Sequence, residues 1–467
     1  MALIKSISGI RGTIGGVVDE NLTPVNAVKF AAAYGIWLKQ QNKAKTLNVI
    51  LGRDARISGE MISNLVANTL IGLGINVIDL GLSTTPTVEI AVTLDHADGG
   101  IIITASHNPK QWNALKLLNH KGEFLNAVNG EKILKIAEEE DFLFAEVDDL
   151  GQYQKKDDYI ERHISEVLKL DLIDVEAIKN ANFKVVVDAV NSTGGIAIPS
   201  LLKKLGVECV ALYCDPNGHF PHNPEPLKEH LTDISELVVK EKADFGIVVD
   251  PDVDRLAIIC EDGSMFGEEY TLVACADYVL GKTTGKSAEK TINTVSNLSS
   301  SRALRDITLK HGGQYYASAV GEVNVVELMK ETNAIIGGEG NGGIIYPESH
   351  YGRDSLVGVG LFLSHLAHAK ISCKNLRESY PSYYMSKSKI ELTPEINVDL
   401  ILDKMAQKYK HENHSTIDGV KIDFETEWVH LRKSNTEPII RIYTESNSQE
   451  NADKLAVRFI EEIKQAV

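Results

Sequence analysis

Three times along this chain a short apolar run is followed by small polar residues, a helical stretch, one or two glycines and a second apolar run. In the first copy Leu47 to Leu51 leads into Gly52-Arg53-Asp54-Ala55-Arg56-Ile57-Ser58-Gly59, a helix to about Leu73, Gly74 and a strand Ile75 to Leu80. The second reads Lys184 to Val187, Asp188-Ala189-Val190-Asn191-Ser192-Thr193-Gly194-Gly195, a helix, Gly206 and Val207 to Leu212. A fainter third reads Thr291 to Val295, Ser296-Asn297-Leu298-Ser299-Ser300, a helix to about Leu309, Gly312-Gly313 and Gln314 to Ala317. Strand, crossover helix and parallel strand make a βαβ unit. It places each polar cluster at the carboxyl end of a strand, where open α/β sheets bind ligands. Three similar α/β domains with mixed sheets follow.

The C-terminal stretch follows a different pattern. A helical pattern over Val398 to Tyr409 precedes three alternating runs, Val420 to Phe424, Trp428 to Leu431 and Ile439 to Tyr443, and an amphipathic helix from about Gln449. That is an α+β domain, with Lys387 to Thr393 as its opening strand and Pro381 to Tyr384 as the hinge into it. Near the other end, Thr23 before Pro24 signals a helix start, with Val25, Val28, Ala32 and Ile36 on one face. A chain of 467 residues is too long for one core, and at roughly 100–150 residues per domain it holds three or four. The expected divisions are 1–155, 156–262, 263–380 and 381–467.

Charge and cysteine usage exclude several classes. A formal net charge of −17 argues against nucleic acid or an anionic membrane as partner, so an anionic substrate must meet a locally basic pocket. Cys209, Cys214, Cys260, Cys275 and Cys373 form no metal-ligand pattern, and an odd number fits reduced thiols better than a disulfide framework. Met1 to Gly12 lacks an apolar signal core, and no stretch approaches the roughly 18 apolar residues of a membrane span. A cytoplasmic protein is expected.

Two strand ends carry chemistry. The apolar run Gly99 to Ile103 ends in Thr104-Ala105-Ser106-His107-Asn108-Pro109, which displays a serine beside a histidine. A hydroxyl is a weak nucleophile unless a metal, a base or a cation activates it. The strand Asp244 to Val249 ends in Asp250-Pro251-Asp252-Val253-Asp254-Arg255, three carboxylates at alternate positions that suit a hard cation. Calcium loops share that alternation, and Glu261 falls where such a loop ends. Arg255, however, stands where the loop needs glycine, and a strand rather than a helix precedes it. Magnesium fits better, and serine with magnesium suggests phosphoryl transfer.

Two further loops suit the ends of a sugar phosphate. Arg432, Ser434, Asn435, Thr436 and Arg441 combine guanidinium forks, hydroxyls and amides around a short turn, which a phosphate would fill. Gly337-Gly338-Glu339-Gly340-Asn341-Gly342-Gly343 lacks the lysine of a P-loop and the spacing of a dinucleotide fingerprint. Its glycines let backbone approach a ligand, and Glu339 and Asn341 have the groups to bond vicinal sugar hydroxyls. A tight glycine turn is the alternative.

Taken together, TASHNP with Asn113 and Lys116 downstream, DPDVDR, GGEGNGG, RKSNTEP and the N-terminal Ser8-Gly9-Ile10-Arg11-Gly12 stand in the order seen in the α-D-phosphohexomutases. GRDARISG and Asn223-Pro224-Glu225-Pro226 also look like elements of that superfamily, which the chain resembles from Ser8 to Arg441. The resemblance implies a four-domain, heart-shaped molecule with one motif loop from each domain around a central cleft. It implies a phosphorylated Ser106, one magnesium ion on Asp250, Asp252 and Asp254 with the serine oxygen, and a hexose 1,6-bisphosphate as activator. Arg11 and Lys116 match basic residues near the reacting oxygens, Lys116 being the candidate proton shuttle. His107 is a further catalytic candidate, and Arg255 joins the residues that neutralise phosphate oxygens. Glu339 and Asn341 match the sugar loop, and Arg432, Ser434, Asn435, Thr436 and Arg441 the loop for the non-reacting phosphate. Monomers or homodimers are expected. The sugar loop and Trp112 to Lys116 look most like the phosphoglucosamine mutases, with phosphomannomutase and phosphoglucomutase the alternative. A phosphatase using the same serine and metal is disfavoured by the loop for a second phosphate.

Overall fold

The computed structural model describes residues 3–6, 9–42, 46–283, 292–391, 397–433 and 439–466. It divides into two compact units, Met1–Val279 with Asn341–Leu376 and Leu280–Gly340 with Arg377–Val467.

The first unit holds two sheets. Along the larger run Leu3–Ser6, Gly9–Thr13, Trp112–Leu118, Gly99–Ile103, Leu47–Arg53, Ile75–Leu82 and Tyr153–Lys155. The pairings as far as Gly99–Ile103 are antiparallel and the rest parallel, which makes the sheet mixed. Both faces are covered, so the central strands carry near-continuous apolar runs, such as Val49 to Leu51 and Ile101 to Ile103, instead of alternating. Val49, Leu51, Ile101 and Ile103 belong to one core and Ile50 and Ile102 to another. In the second sheet Leu256–Cys260, Phe245–Val249, Lys184–Asp188 and Glu208–Leu212 are neighbours in that order, the first pair antiparallel and the others parallel. The hairpin joining its first two strands is the aspartate loop. Asp244, expected in a strand, instead caps the edge by accepting the Lys184 amide at 2.8 Å.

Helices Gly59–Gly72 and Gly194–Lys204 are the crossovers of the first two repeats. The closing glycines Gly74, Gly206 and Gly312 have φ of 75°, 69° and 76°. That left-handed conformation ends a helix cheaply only without a Cβ, which is why a glycine recurs there. The N-terminal helix Pro24–Gln41 starts on Thr23 as expected, but its buried face runs through Asn26, Ala27, Phe30, Ala31 and Tyr34. Val25 is 56% exposed, so the predicted face fails there. Asn26 turns inward because it closes a capping box, its Oδ1 taking the Thr23 amide at 3.3 Å.

The second unit contains parallel strands Tyr315–Ser318, Thr294–Asn297 and Ile336–Glu339, in that spatial order. The third repeat's first strand starts at Thr294; Thr291, its expected start, lies outside the described residues. A five-stranded antiparallel sheet follows, ordered Tyr384–Glu391, Ile439–Ser446, Trp428–Lys433, Val420–Asp423 and Asn413–Ser415. Its apolar side chains Ile390, Ile440, Leu431, Val429 and Ile422 share one core with Leu402 and Met405 of helix Val398–Lys408 and Leu455 and Phe459 of helix Gln449–Ala466. The edge strand Asn413–Ser415 carries no apolar alternation and was not anticipated.

The segment read as the third domain is shared between the units. Helix Ser355–Ala369 belongs with the first, where Ser364 Oγ accepts the Asp174 amide at 3.0 Å. Among the described residues no helix is long and apolar enough to cross a membrane. All five cysteines are free thiols.

Candidate active site

Strand Gly99–Ile103 delivers the serine. Beyond it Thr104 Oγ1 accepts the Ser106 amide at 2.9 Å, and Ser106 takes a left-handed φ of 50°, a strained conformation for a residue with a Cβ. Ser106 is 3% exposed, and its Oγ donates to Asp250 Oδ2 at 2.6 Å. The other oxygen of Asp250 accepts the amides of Asp254 and Arg255, each at 3.1 Å. The apex of the aspartate loop is held by Ser192 and Thr193, whose hydroxyls donate to the Pro251 carbonyl at 2.7 and 2.9 Å.

Asp250, Asp252 and Asp254 are fully buried and offer ligand atoms within 4.8 Å of one another. Three carboxylates cannot stay charged together in a buried site without cations. Lys116 Nζ supplies one, donating to Asp252 Oδ2 at 2.7 Å and Asp254 Oδ2 at 3.2 Å. Arg353 supplies another, at 2.7 Å from Asp254 Oδ2. Thr85 Oγ1 adds a neutral donor to Asp252 Oδ2 at 2.6 Å. After these contacts Asp252 Oδ1 and Asp254 Oδ1 are buried with no hydrogen-bond partner among the described residues. Partnerless carboxylate oxygens in an all-oxygen donor set fit a hard divalent cation such as magnesium.

The charge states follow from this crowding. Burial, and then Asp254 and Asp252, push the Asp250 carboxyl well above the usual range. Burial acts the same way on Asp254, but Arg353, Lys116 and Arg255 outweigh it and hold that carboxyl low. Burial works to lower Lys116, while Asp252 and Asp254 overcome it and raise it, so the ammonium form persists. His107 is driven well below its ordinary value by burial and then by Arg255 and Arg11, which leaves a neutral imidazole at pH 7. Its Nδ1 lies 3.4 Å from Ser106 Oγ and its Nε2 3.4 Å from an Arg255 nitrogen. Arg11 donates to Asn108 Oδ1 at 2.9 Å, and Arg255 to Glu225 Oε1 at 3.3 Å. Ser106, His107, Arg11, Lys116, the three aspartates and Arg255 therefore form one connected cluster in the first unit.

The remaining predicted residues are placed differently. Asn341 belongs to the first unit, where its Oδ1 accepts the Gly343 amide at 3.2 Å. Glu339 belongs to the second and is 6% exposed, its Oε1 accepting from Asn297 Nδ2 at 3.0 Å and the Gly321 amide at 3.2 Å. Arg432 and Arg441 face each other on adjacent antiparallel strands, and Lys389 faces Arg441 from its other side. Like charges directly opposite are destabilising, so such a row suits an anion. Arg441 Nε is buried with no partner among the described residues. Ser434, Asn435 and Thr436 lie outside the described residues, as does Ser8.

Comparison with known proteins then decides the family. The four domain descriptions of Phosphoglucomutase/phosphomannomutase match in order, with alpha/beta/alpha domain I over residues 4–144, domain II over 157–263, domain III over 267–384 and the C-terminal domain over 390–462. The chain belongs to the phosphoglucomutase/phosphomannomutase family. A family member from Thermococcus kodakarensis, named Phosphoglucomutase/phosphomannomutase, is 37% identical over 97% of this chain and 98% of its own length. A Phosphoglucosamine/phosphogalactosamine mutase from Sulfurisphaera tokodaii is 32% identical over 100% of this chain and 99% of its own. Among solved structures, a phosphoglucomutase/phosphomannomutase family protein from Burkholderia thailandensis shares the fold with a TM-score of 0.83, at 24% identity over 99% of this chain and 98% of that one.

Within this family framework, sequence reasoning missed Thr85 and Arg353, both bonded directly to the aspartates. Thr85 follows the N-cap Thr84 and read as an ordinary helix start. Arg353 precedes Asp354, the N-cap of helix Ser355–Ala369. A buried cation opposite three carboxylates was the available signal, and the Tyr351-Gly352-Arg353-Asp354 turn was the place to look for it.

Proposed function

We propose that this chain interconverts hexose 1-phosphates and 6-phosphates, with Ser106 carrying the phosphoryl group between the two ends of the sugar. The observation that carries this reading is the 2.6 Å bond from Ser106 Oγ into the buried aspartate cluster. A hydroxyl in a surface turn has no such activation.

In the first half-reaction phosphorylated Ser106 gives its group to the free hydroxyl of a hexose monophosphate. The P–O bond to Oγ breaks as a bond to the sugar oxygen forms, and the sugar's proton passes to a neighbouring base. The 1,6-bisphosphate then turns end for end and returns its other phosphoryl group to Oγ. Because Ser106 must begin phosphorylated, a hexose 1,6-bisphosphate primes the enzyme. Lys116 is the proposed proton shuttle; held as an ammonium, it would take up the sugar's proton only while passing one of its own to a carboxylate it bonds, and neutral His107 is the second candidate. Arg11 and Arg255 offset charge on the transferring oxygens. Glu339 and Asn341 read the sugar hydroxyls, while Arg432, Ser434, Asn435, Thr436 and Arg441 hold the phosphate that is not reacting. Asp250, Asp252 and Asp254 would hold a magnesium ion, which would supply positive charge to phosphate oxygens.

Glucosamine is the hexose we assign, on the wording of the sugar loop and of Trp112 to Lys116. A second reading, mannose and glucose phosphates, is favoured by the name of the Thermococcus kodakarensis relative, which is 37% identical against 32% for the Sulfurisphaera tokodaii protein. Assays of glucosamine, mannose and glucose 1-phosphate side by side, with glucose 1,6-bisphosphate present, decide between them by kcat/KM. Steady release of inorganic phosphate without the isomeric product would assign a phosphatase instead.

A further inference from the structure

Arg56, from the loop after the first repeat's opening strand, is 1% exposed, and its hydrogen bonds go to Asp54 and to backbone carbonyls rather than to a reacting atom. Its amide donates to Asp54 Oδ1 at 2.9 Å and its Nε to Asp54 Oδ2 at 3.0 Å. One terminal nitrogen donates to the carbonyls of Pro109 and Trp112 at 2.8 and 3.0 Å. The other donates to the carbonyl of Asn108 at 2.6 Å and to that of Ser106. The Phe220 ring lies 5.1 Å from the guanidinium carbon. Four carbonyls of the serine loop thus converge on one planar cation.

Asp54 extends the same device to the amide side of the serine. Its Oδ2 accepts from Thr104 Oγ1 at 2.7 Å, and that hydroxyl accepts the Ser106 amide at 2.9 Å. Ser106 is therefore gripped at both its N–H and its C=O by groups that lead back to one ion pair. Its left-handed φ of 50° is a conformation that persists only where the surroundings over-determine it. Buried carbonyls without donors would be costly, and no other side chain supplies four at once. A lysine in place of Arg56 offers a single ammonium and cannot reproduce the five-donor fork.

We infer that the Asp54–Arg56 ion pair is the positioning device of the phosphoryl-carrying serine, setting Ser106 Oγ against Asp250 by holding the backbone on both sides of it. This rests on Ser106 being the carrier, and it assigns Asp54, Arg56 and Thr104 as positioning residues. Misplacement of a reacting atom by about 1 Å costs on the order of 100-fold in rate without a matching loss of binding.

The test compares Arg56→Lys, Thr104→Val and Ser106→Ala with the wild-type chain, using glucosamine, mannose and glucose 1-phosphate and glucose 1,6-bisphosphate. Arg56→Lys is expected to lower kcat by roughly 100-fold while KM changes less than about threefold. Phosphate carried on Ser106 after incubation with the bisphosphate, read by intact-protein mass spectrometry, falls with it. Thr104→Val is nearly isosteric and removes only the hydroxyl link, so it lowers kcat roughly tenfold with KM again held. A folded Arg56→Lys with wild-type kcat and phosphoserine content overturns the inference, as does a loss confined to KM. Should Arg56→Lys not fold, Thr104→Val decides alone, and wild-type kcat there overturns it. Ser106→Ala separates the two levels. Full turnover in that variant removes the carrier itself, whereas an inactive Ser106→Ala beside an unaffected Arg56→Lys removes only the positioning device.

Discussion

The aspartate cluster and the arginine pair of the C-terminal sheet both gather like charges, and they manage them in opposite ways. Around Asp250, Asp252 and Asp254 every charge is buried and most are already partnered, by Lys116, Arg353, Thr85 and backbone amides. Around Arg432 and Arg441 the charges sit opposite each other on neighbouring strands with partial exposure, and Asp418 Oδ2 lies 3.6 Å from an Arg432 nitrogen. A site that moves a phosphoryl group gains from fixed dipoles and excluded water. A site that only holds phosphate needs charge and reach, and it keeps water until the ligand arrives. The first should therefore fail in kcat when altered, and the second in KM.

Ser106→Ala offers the severest challenge to that contrast. Turnover should fall by at least about 10⁴-fold, since the variant lacks the hydroxyl proposed to carry the group. Wild-type rates in a coupled isomerase assay would remove the serine from the mechanism. Asp252→Asn comes next, with a loss of about 100-fold in kcat and a raised magnesium requirement, because it removes one charge from the donor set and frees Lys116 from a partner. An unchanged magnesium titration would count against the assignment of Asp252 as a ligand.

A pH experiment sharpens the comparison from beneath the cluster. His350 lies 3.1 Å from Asp354 Oδ2 and 3.3 Å from Glu89 Oε2, and His163 shares Asp354 at 2.9 Å. Glu89 is on the helix that begins with Thr85, and Asp354 adjoins Arg353, so this layer ties together the two elements that hold Asp252 and Asp254. Burial tends to lower His350, but its bonds to Asp354 and Glu89 outweigh that and raise it to about 10. A raised folded-state value gives stability that is complete below the ordinary value of about 6.5 and is lost as pH climbs toward 10. We expect the wild-type chain to lose up to about 5 kcal/mol from this source over that window. His350→Gln should flatten the pH dependence of Tm, and parallel curves for the two proteins would refute the layer's role.

How much of this was legible depended on whether the deciding interaction was local. Strand Gly99–Ile103 could be read directly because a five-residue apolar run has few other uses, and Ser106 and the aspartates followed from their positions at strand ends. The repeat glycines were legible because left-handed backbone leaves a residue-type signature. Val25 misled because periodicity alone cannot see that Asn26 is drawn inward by a cap. Thr85 left no trace, and Arg353 left only the general need of buried carboxylates for a cation, since their bonds to the aspartates join residues 167 and 99 positions apart. Arg56 stood inside a quoted motif, yet its four carbonyl partners lie 50 to 56 residues away and only folding makes them a set.

The smallest expected effect separates the two sites most cleanly. Arg432→Ala removes one phosphate donor and should raise KM for the hexose phosphate roughly tenfold, about 1.4 kcal/mol, with kcat falling less than threefold. The same substitution removes one of two like charges that face each other across adjacent strands, with Lys389 beyond. Relief of that repulsion is worth a few tenths of a kcal/mol, offset in part by the lost contact to Asp418. The variant should therefore bind worse and melt no lower than wild type, while added inorganic phosphate should raise the wild-type Tm more than the variant's. An arginine that served the fold would show the reverse, with Tm falling and KM unmoved. In the aspartate cluster no such separation is available, because each charge there is already a partner to another, and removing one destabilises what remains.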